Sequence, residues 1–260
     1  MTTEHEETWL LDLDGVLWLA DEPIAGSADA VDRLQTSGRR VAFFTNNSFV
    51  TKVGLLEKFA RQGYRNIDED LVFSSSRIGA TLAQPGERAF VIGGEGIHEA
   101  LRDRGVEIIR LEQLEHERVD LVLIGLDPLF DYPKLGGALR AIKAGARLIG
   151  TNEDATYPTP LGLLPGGGAI LAAVAYAASV EPVVAGKPHQ ATVDALLAKL
   201  GHIDWAVGDR ASTDGVLAKR LGARFALVRS GVTAPGGSAG DPHADLDEAD
   251  LGAIVQRLEP

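Results

Sequence analysis

Short apolar runs recur along the chain, each closed by a polar or glycine-bearing turn and followed by a stretch with helical spacing. Runs of this length suit buried strands, whereas apolar residues returning every three or four positions suit a helix buried on one face. Strands are expected at residues 8–13, 40–45, 88–92, 119–124, 146–150, 203–208 and 223–228. Their alternation with helical stretches predicts an α/β fold built on parallel strands.

Helix ends are marked by the residues that cap them. One helix is expected to start at Thr51 as N-cap, to carry Leu55, Leu56 and Phe59 on its apolar face, and to stop at Gly63. A second covers residues 191–200, with Val193, Leu196, Leu197 and Leu200 apolar and Gly201 as the stop. The stretch from Thr233 to Asp241, rich in Gly, Ser and Pro, reads as a loop, and LGAIVQRL at 251–258 as a short helix. No repeat of 20 to 50 residues is evident, which argues against a solenoid or propeller.

Composition narrows the chemistry. With 45% hydrophobic and 24% charged residues among 260, the chain belongs to the globular class and is long enough for one large domain or two smaller ones. The most apolar stretch, near residues 169–184, reaches Glu181 and Pro182 too soon to span a bilayer. Met1 to Glu7 carry His5 and several glutamates and do not read as a secretory signal, so a cytoplasmic location is expected by default. The absence of cysteine removes disulfides, thiolate nucleophiles and thiolate metal sites together. A formal charge of −12 disfavours nucleic acid and anionic membranes as partners. An acidic protein that binds a phosphate group needs a local cation.

Three of the expected strands end in polar clusters: WLLDLDG at 9–15, VAFFTNNS at 41–48 and WAVGDRASTD at 205–214. In an open parallel sheet, ligands bind beyond the carboxyl ends of the strands, where these groups would gather. Asp12 and Asp14 stand two apart on a strand and can project on the same side before Gly15 turns the chain. Together with Asp209 and Asp214 they would form a carboxylate cluster that repels itself unless a cation sits in it. All-oxygen ligation without cysteine points to Mg²⁺ rather than Zn²⁺. Taken singly, each piece has an ordinary structural reading as a strand end, a helix cap or a turn lysine.

The set DLDGVL at 12–17, PIAGS at 23–27, TNNS at 45–48, TNED at 151–154, GKPH at 186–189 and GDRASTD at 208–214 resembles the haloacid-dehalogenase-like (HAD) superfamily, in its NagD-type, 4-nitrophenylphosphatase-like subgroup. The resemblance covers nearly the whole chain. It implies a Rossmann-like core with a parallel sheet and an inserted α/β cap domain. Only 30 residues separate Asp14 from Thr45, whereas 138 separate Ser48 from Lys187, so the cap falls in the second interval and is of the second (C2a) type. The core is expected at residues 1–77 and 183–260, and the cap at 78–182.

On the family pattern the chain is a Mg²⁺-dependent phosphatase of small phosphomonoesters such as glycerol phosphate, a sugar phosphate, phosphoglycolate or 4-nitrophenyl phosphate. Asp12 would attack phosphorus and form an aspartyl-phosphate, and Asp14 would protonate the leaving alcohol and then deprotonate water. Asp12, the Asp14 main-chain carbonyl and Asp209 would hold the ion, with Asp214 close by. Thr45, Asn46, Asn47 and Lys187 would bind the phosphoryl oxygens, and Asn152, Asp154 and Tyr157 from the segment 151–168 would face the substrate. Asn152 and Asp154 also read as capping and turn residues. Gly166, Gly167 and Gly168 either allow close backbone approach at a helix start or form a hinge. The alternative function is a phosphometabolite-binding or regulatory protein on a HAD scaffold with little turnover. Relatives form cap-mediated dimers, which leaves a homodimer open.

Competing signals are weaker. Gly93-Gly94-Glu95-Gly96 lacks the spacing of a dinucleotide-binding turn, GGSAG at 236–240 lies in a loop rather than a nucleophile elbow, and Lys187 precedes Pro188 instead of closing a P-loop. His98 and His116 read as surface residues. His189, two positions after Lys187, remains a candidate for the site.

Overall fold

A computed structural model describes residues 6–159 and 162–259. Residues 1–5 of the N-terminal stretch and residues 160–161 of the segment 151–168 lie outside the described residues, as does residue 260. The fold is α/β with parallel sheets, the class expected. The chain divides into two compact units. One takes the described residues of Met1–Thr45, Leu55–Phe73 and Val193–Pro260, and the other Asn46–Gly54 and Ser74–Thr192.

The first unit is built on a six-stranded sheet. Its spatial order is Leu246–Glu248, Arg224–Val228, Trp205–Gly208, Thr8–Asp12, Arg40–Thr45, Val72–Ser74. Thr8–Asp12 pairs in parallel with both of its neighbours, aligning Leu11 with Val207 on one side and Asp12 with Phe44 on the other. From this central strand the chain adds strands outward in one direction, then returns at Trp205 and builds in the other. The reversal lies between Thr8–Asp12 and Trp205–Gly208, the kind of place where ligands of open parallel sheets bind. Both strands are nearly continuous apolar runs because both faces of the sheet are covered. Trp9 and Trp205, aligned in register, meet with ring centroids 5.7 Å apart.

The second unit holds a five-stranded sheet in the order Val183–Val184, Arg147–Gly150, Leu121–Ile124, Arg88–Ile92, Glu107–Ile109, every pair parallel. Its central strand shows the two-residue period directly. Val122 and Ile124 join Phe90 and Ile92 under Ala138, Ile142, Ile170, Leu171 and Val174, which come from the helices Tyr132–Lys143 and Gly167–Ala178. Leu121 and Leu123 point the other way, onto Ile97 and Leu101 of Glu95–Asp103 and Ala80 of Ser75–Thr81.

Two expected strand starts are trimmed for one physical reason. Asp120 precedes Leu121–Ile124, and its carboxylate accepts the amide hydrogen of Arg88 at 2.8 Å; Asp204 precedes Trp205–Gly208 and does the same for Thr8. Asp245 repeats the device for Phe225. Asp120 and Asp204 thus satisfy the first donor of the neighbouring strand, and Asp245 the second, from just outside the ladder.

The helices Lys52–Arg61, Gln190–Leu200 and Leu251–Leu258 lie where their apolar faces and caps place them. Thr51 Oγ1 accepts from the Gly54 amide at 3.0 Å, and Asp250 Oδ1 from that of Ala253 at 2.8 Å. Among the described residues no helix is long and apolar enough to cross a membrane.

Candidate active site

Asp12 ends the central strand and is half-buried, and the chain beyond it curls at once. The Leu17 amide bonds the Leu13 carbonyl at 2.8 Å, and Gly15 donates to the Trp18 carbonyl at 2.7 Å. The short strands Trp18–Leu19 and Glu22–Pro23 then pair antiparallel. This tight turn projects Asp14 into solvent beside the strand end, while Trp18 turns inward and is almost fully buried. Trp18 packs edge-on against Phe59 and Tyr64, at 5.1 and 5.9 Å between ring centroids, and Phe43 closes on Phe59 at 4.9 Å. Tyr64 is buried there, its hydroxyl 2.6 Å from Ser27 Oγ and donating to the Leu17 carbonyl at 2.9 Å. Burial pushes its phenol up to about 12, partly offset by the bond with Ser27.

Asp209 follows Trp205–Gly208, the strand next to Asp12, and Asp214 lies in the turn of helix Ala211–Gly215. Both are buried. One carboxylate oxygen from each of Asp12, Asp209 and Asp214 can be chosen so that all three lie within 4.8 Å of one another. The backbone is arranged to hold them there. Arg210 donates its amide hydrogen to Asp214 Oδ2 at 3.1 Å, and Val232 donates its own to Asp209 Oδ2 at 2.6 Å. Thr233 Oγ1 donates to the Asp209 carbonyl at 2.5 Å, and Ser230 Oγ to that of Gly15 at 2.7 Å. The loop 230–233 therefore ties Asp209 to the turn after Asp12. Charge-assisted bonds of this kind fix a carboxylate more firmly than neutral ones.

Three acidic groups so close, two of them buried, repel one another in a medium that screens poorly. The donor set consists of hard oxygens alone, which suits a small divalent cation with carboxylate ligands such as Mg²⁺. The Asp14 carboxylate has other partners. It accepts from Trp18 Nε1 at 3.1 Å through Oδ1 and from Thr45 Oγ1 at 3.4 Å through Oδ2.

Of the remaining expected residues, all in the second unit, Asn152, Asp154 and Lys187 gather around Asn46. Its side chain accepts the Lys187 amide hydrogen at 2.8 Å and donates to the Lys187 carbonyl at 3.3 Å and to Asp154 Oδ2 at 3.2 Å. Its carbonyl accepts from Asn152 Nδ2 at 2.8 Å and Ser75 Oγ at 2.7 Å. Lys187 itself is buried. Asn47 is exposed, and its Oδ1 caps the Phe49 amide at 3.0 Å. Tyr157 stands half-buried on the strand Thr156–Thr159, opposite Leu164. His189 Nε2 lies 2.8 Å from Glu153 Oε2. At the glycine run, a Cβ on Gly168 would fall 2.3 Å from the Glu153 carbonyl carbon, so close backbone approach is what this glycine permits.

Trp18, Ser75 and the loop 230–233 were not legible as site residues. Their signals lie in a distant strand end and in the tight turn after Asp14, where no short motif marks them.

Residues 9–107 match the family described as haloacid dehalogenase-like hydrolase, and residues 184–250 one described as HAD-hydrolase-like. Phosphoglycolate phosphatase 2 of Arabidopsis thaliana is 33% identical over 252 residues, covering 87% of this chain and 84% of that protein. The structure of p-nitrophenyl phosphatase from Archaeoglobus fulgidus superposes with a TM-score of 0.88 at 28% identity, over 97% of this chain and 99% of that one. The glycerol phosphate phosphatase of Mycobacterium tuberculosis in complex with magnesium gives 0.85 at 28% identity, over 96% of this chain and 77% of that one.

Proposed function

This chain belongs to the haloacid dehalogenase-like hydrolases of the NagD type and is a phosphomonoesterase, and from that premise we propose that it hydrolyses small phosphomonoesters with Mg²⁺ through an aspartyl-phosphate on Asp12. The observation that carries this reading is the grouping of Asp12, Asp209 and Asp214 within 4.8 Å, with Asp14 on the turn immediately beyond Asp12. The magnesium complex of the glycerol phosphate phosphatase supports the choice of ion.

Asp12, Asp209 and Asp214, with the Asp14 main-chain carbonyl, would hold the ion. Bound there, it would supply positive charge that offsets the negative charge of the phosphate dianion and of the carboxylates. Asp12 Oδ attacks phosphorus, and the bond from phosphorus to the ester oxygen breaks with its electron pair on that oxygen. Asp14 gives this oxygen a proton. Water then attacks the acyl phosphate, its proton passes to Asp14, and Asp12 is released as a carboxylate.

Thr45, Asn46, Asn47 and Lys187 are the groups assigned to phosphoryl oxygens, Lys187 as a compact positive charge. We assign residues 78–182 to the cap that selects the leaving group, with Asn152, Asp154 and Tyr157 as its specificity residues. The substrate class is that of the relatives: glycerol phosphate, a sugar phosphate, phosphoglycolate or the synthetic 4-nitrophenyl ester. Phosphate release from a panel of these esters, with and without Mg²⁺, tests the reading. Turnover of at least one ester that stops on chelation is expected; binding without turnover across the panel would favour a regulatory protein on the same scaffold.

A further inference from the structure

Asp14 is a surface carboxylate on a tight turn, and such a side chain ordinarily samples several rotamers. An acid that must deliver a proton to one particular oxygen loses efficiency in proportion to the time it spends elsewhere. In this chain the constraint comes from below. Trp18 Nε1 donates to Asp14 Oδ1 at 3.1 Å, and the backbones of the two residues also meet in an isolated bridge. Trp18 is itself immobilised. It is 1% exposed, Phe59 and Tyr64 pack edge-on against it, and Lys58 Nζ lies 4.5 Å from its ring centroid. Lys58 is anchored in turn by the Ala20 carbonyl, which its ammonium group bonds at 2.5 Å.

An indole has one polar atom, a donor, and burying it without a partner is costly. Here that partner is Asp14. A phenylalanine would keep an aromatic ring in the cluster at the cost of a smaller side chain, yet it would offer Asp14 nothing. We infer that Trp18 is a positioning residue for the acid/base step: its N–H fixes the Asp14 carboxylate so that one oxygen is held by the indole and the group faces the reacting atoms. Thr45 Oγ1 bonds the second oxygen at 3.4 Å, which brings the phosphate-binding strand end into the same arrangement.

This inference rests on the phosphatase reading, and its consequence is selective. Transfer of the phosphoryl group to Asp12 needs an acid when the leaving group is an alkoxide, and hardly at all when it is 4-nitrophenolate, which departs without a proton. Hydrolysis of the aspartyl-phosphate needs Asp14 as base for every substrate. Trp18→Phe should therefore lower kcat/KM by roughly 10- to 100-fold for whichever alkyl phosphate of the panel the wild type hydrolyses, a part of what a general acid contributes. For 4-nitrophenyl phosphate kcat/KM should stay within about two-fold of wild type, while kcat and KM fall together and a burst of 4-nitrophenolate precedes the steady state.

Replacing Trp18 by benzothienylalanine, which keeps the ring volume and substitutes sulfur for N–H, serves as the second variant if Trp18→Phe folds poorly. Tyr64→Phe, which disturbs the same cluster without touching the bond to Asp14, is the structural control. It should affect the two substrates equally. If the wild-type protein turns over no ester of the panel, the phosphatase reading fails. If it turns over an alkyl phosphate and 4-nitrophenyl phosphate and the two Trp18 variants lose the same factor of kcat/KM on each, the reading survives and the positioning role of Trp18 is overturned.

Discussion

Gly15 and Asp209 approach so closely that a methyl group on Gly15 would lie 2.5 Å from Asp209 Oδ2. Gly15 also holds φ near +91°, a conformation side chains disfavour. Gly231 stands against the same carboxylate, where an added Cβ would fall 2.1 Å from Oδ2. The two glycines thus let the backbone close around an acidic group from opposite loops.

Gly15→Ala should cost stability on the order of 1–3 kcal/mol from backbone strain alone, because Ala must adopt a conformation that Gly occupies freely. It should also displace the Asp209 carboxylate and lower turnover by about 10-fold or more, a loss that excess Mg²⁺ partly recovers. Denaturant unfolding and a Mg²⁺ titration of activity measure the two effects separately.

Removing one charge from the carboxylate cluster should act in opposite directions with and without the ion. In metal-free Asp209→Asn the thermal midpoint should equal or exceed that of metal-free wild type, since repulsion among Asp12, Asp209 and Asp214 is relieved. Mg²⁺ at about 100 times its dissociation constant should stabilise wild type by about 2.7 kcal/mol and the variant by much less. An equal rise in both proteins would dissociate Asp209 from metal binding. Calorimetric scans in chelator and in Mg²⁺ provide the comparison.

Tyr64 makes stability fall at alkaline pH. Its phenol is pushed up to about 12 in the folded chain, against about 10 when unfolded. Between these values the unfolded chain releases a proton that the folded chain retains, so unfolding gains ground as pH rises. The contribution is complete below about pH 10, is lost as pH rises through about 12, and amounts to about 3 kcal/mol. Tyr64→Phe should flatten this part of the stability profile in urea unfolding between pH 9 and about 11.5.

Much of the fold was written in the apolar runs. The strands at Thr8–Asp12, Arg40–Thr45, Arg88–Ile92, Leu121–Ile124, Arg147–Gly150, Trp205–Gly208 and Arg224–Val228 are long and buried enough to show as unbroken apolar segments. Those at Val72–Ser74, Glu107–Ile109, Val183–Val184 and Leu246–Glu248 have two or three residues each and no period to detect. Their pairing is decided by the sheet they extend. The hairpin Thr156–Thr159 with Gly162–Pro165 is hidden by its prolines, which rarely signal a strand.

In the site, the carboxylates were readable because each sits at or just beyond a strand end in a short motif. The residues that fix them were not. Val232 acts through a backbone amide, which leaves no trace in residue type, and Trp18 reads as one more core aromatic until its N–H is seen to meet Asp14. Asn46 was expected to bind phosphoryl oxygens, whereas its side-chain bonds to Lys187 and Asp154, which join segments more than 100 residues away in the chain, could not be read from the sequence.

Whether Asp12 takes up the phosphoryl group can be read by acid quenching during turnover of 4-nitrophenyl phosphate followed by peptide mapping. A phosphate-mass increment confined to the peptide that contains Asp12 is expected, with turnover reduced to background in Asp12→Asn. Steady turnover with no phosphorylated peptide, and an Asp12→Asn protein as fast as wild type, would rule out Asp12 as the nucleophile.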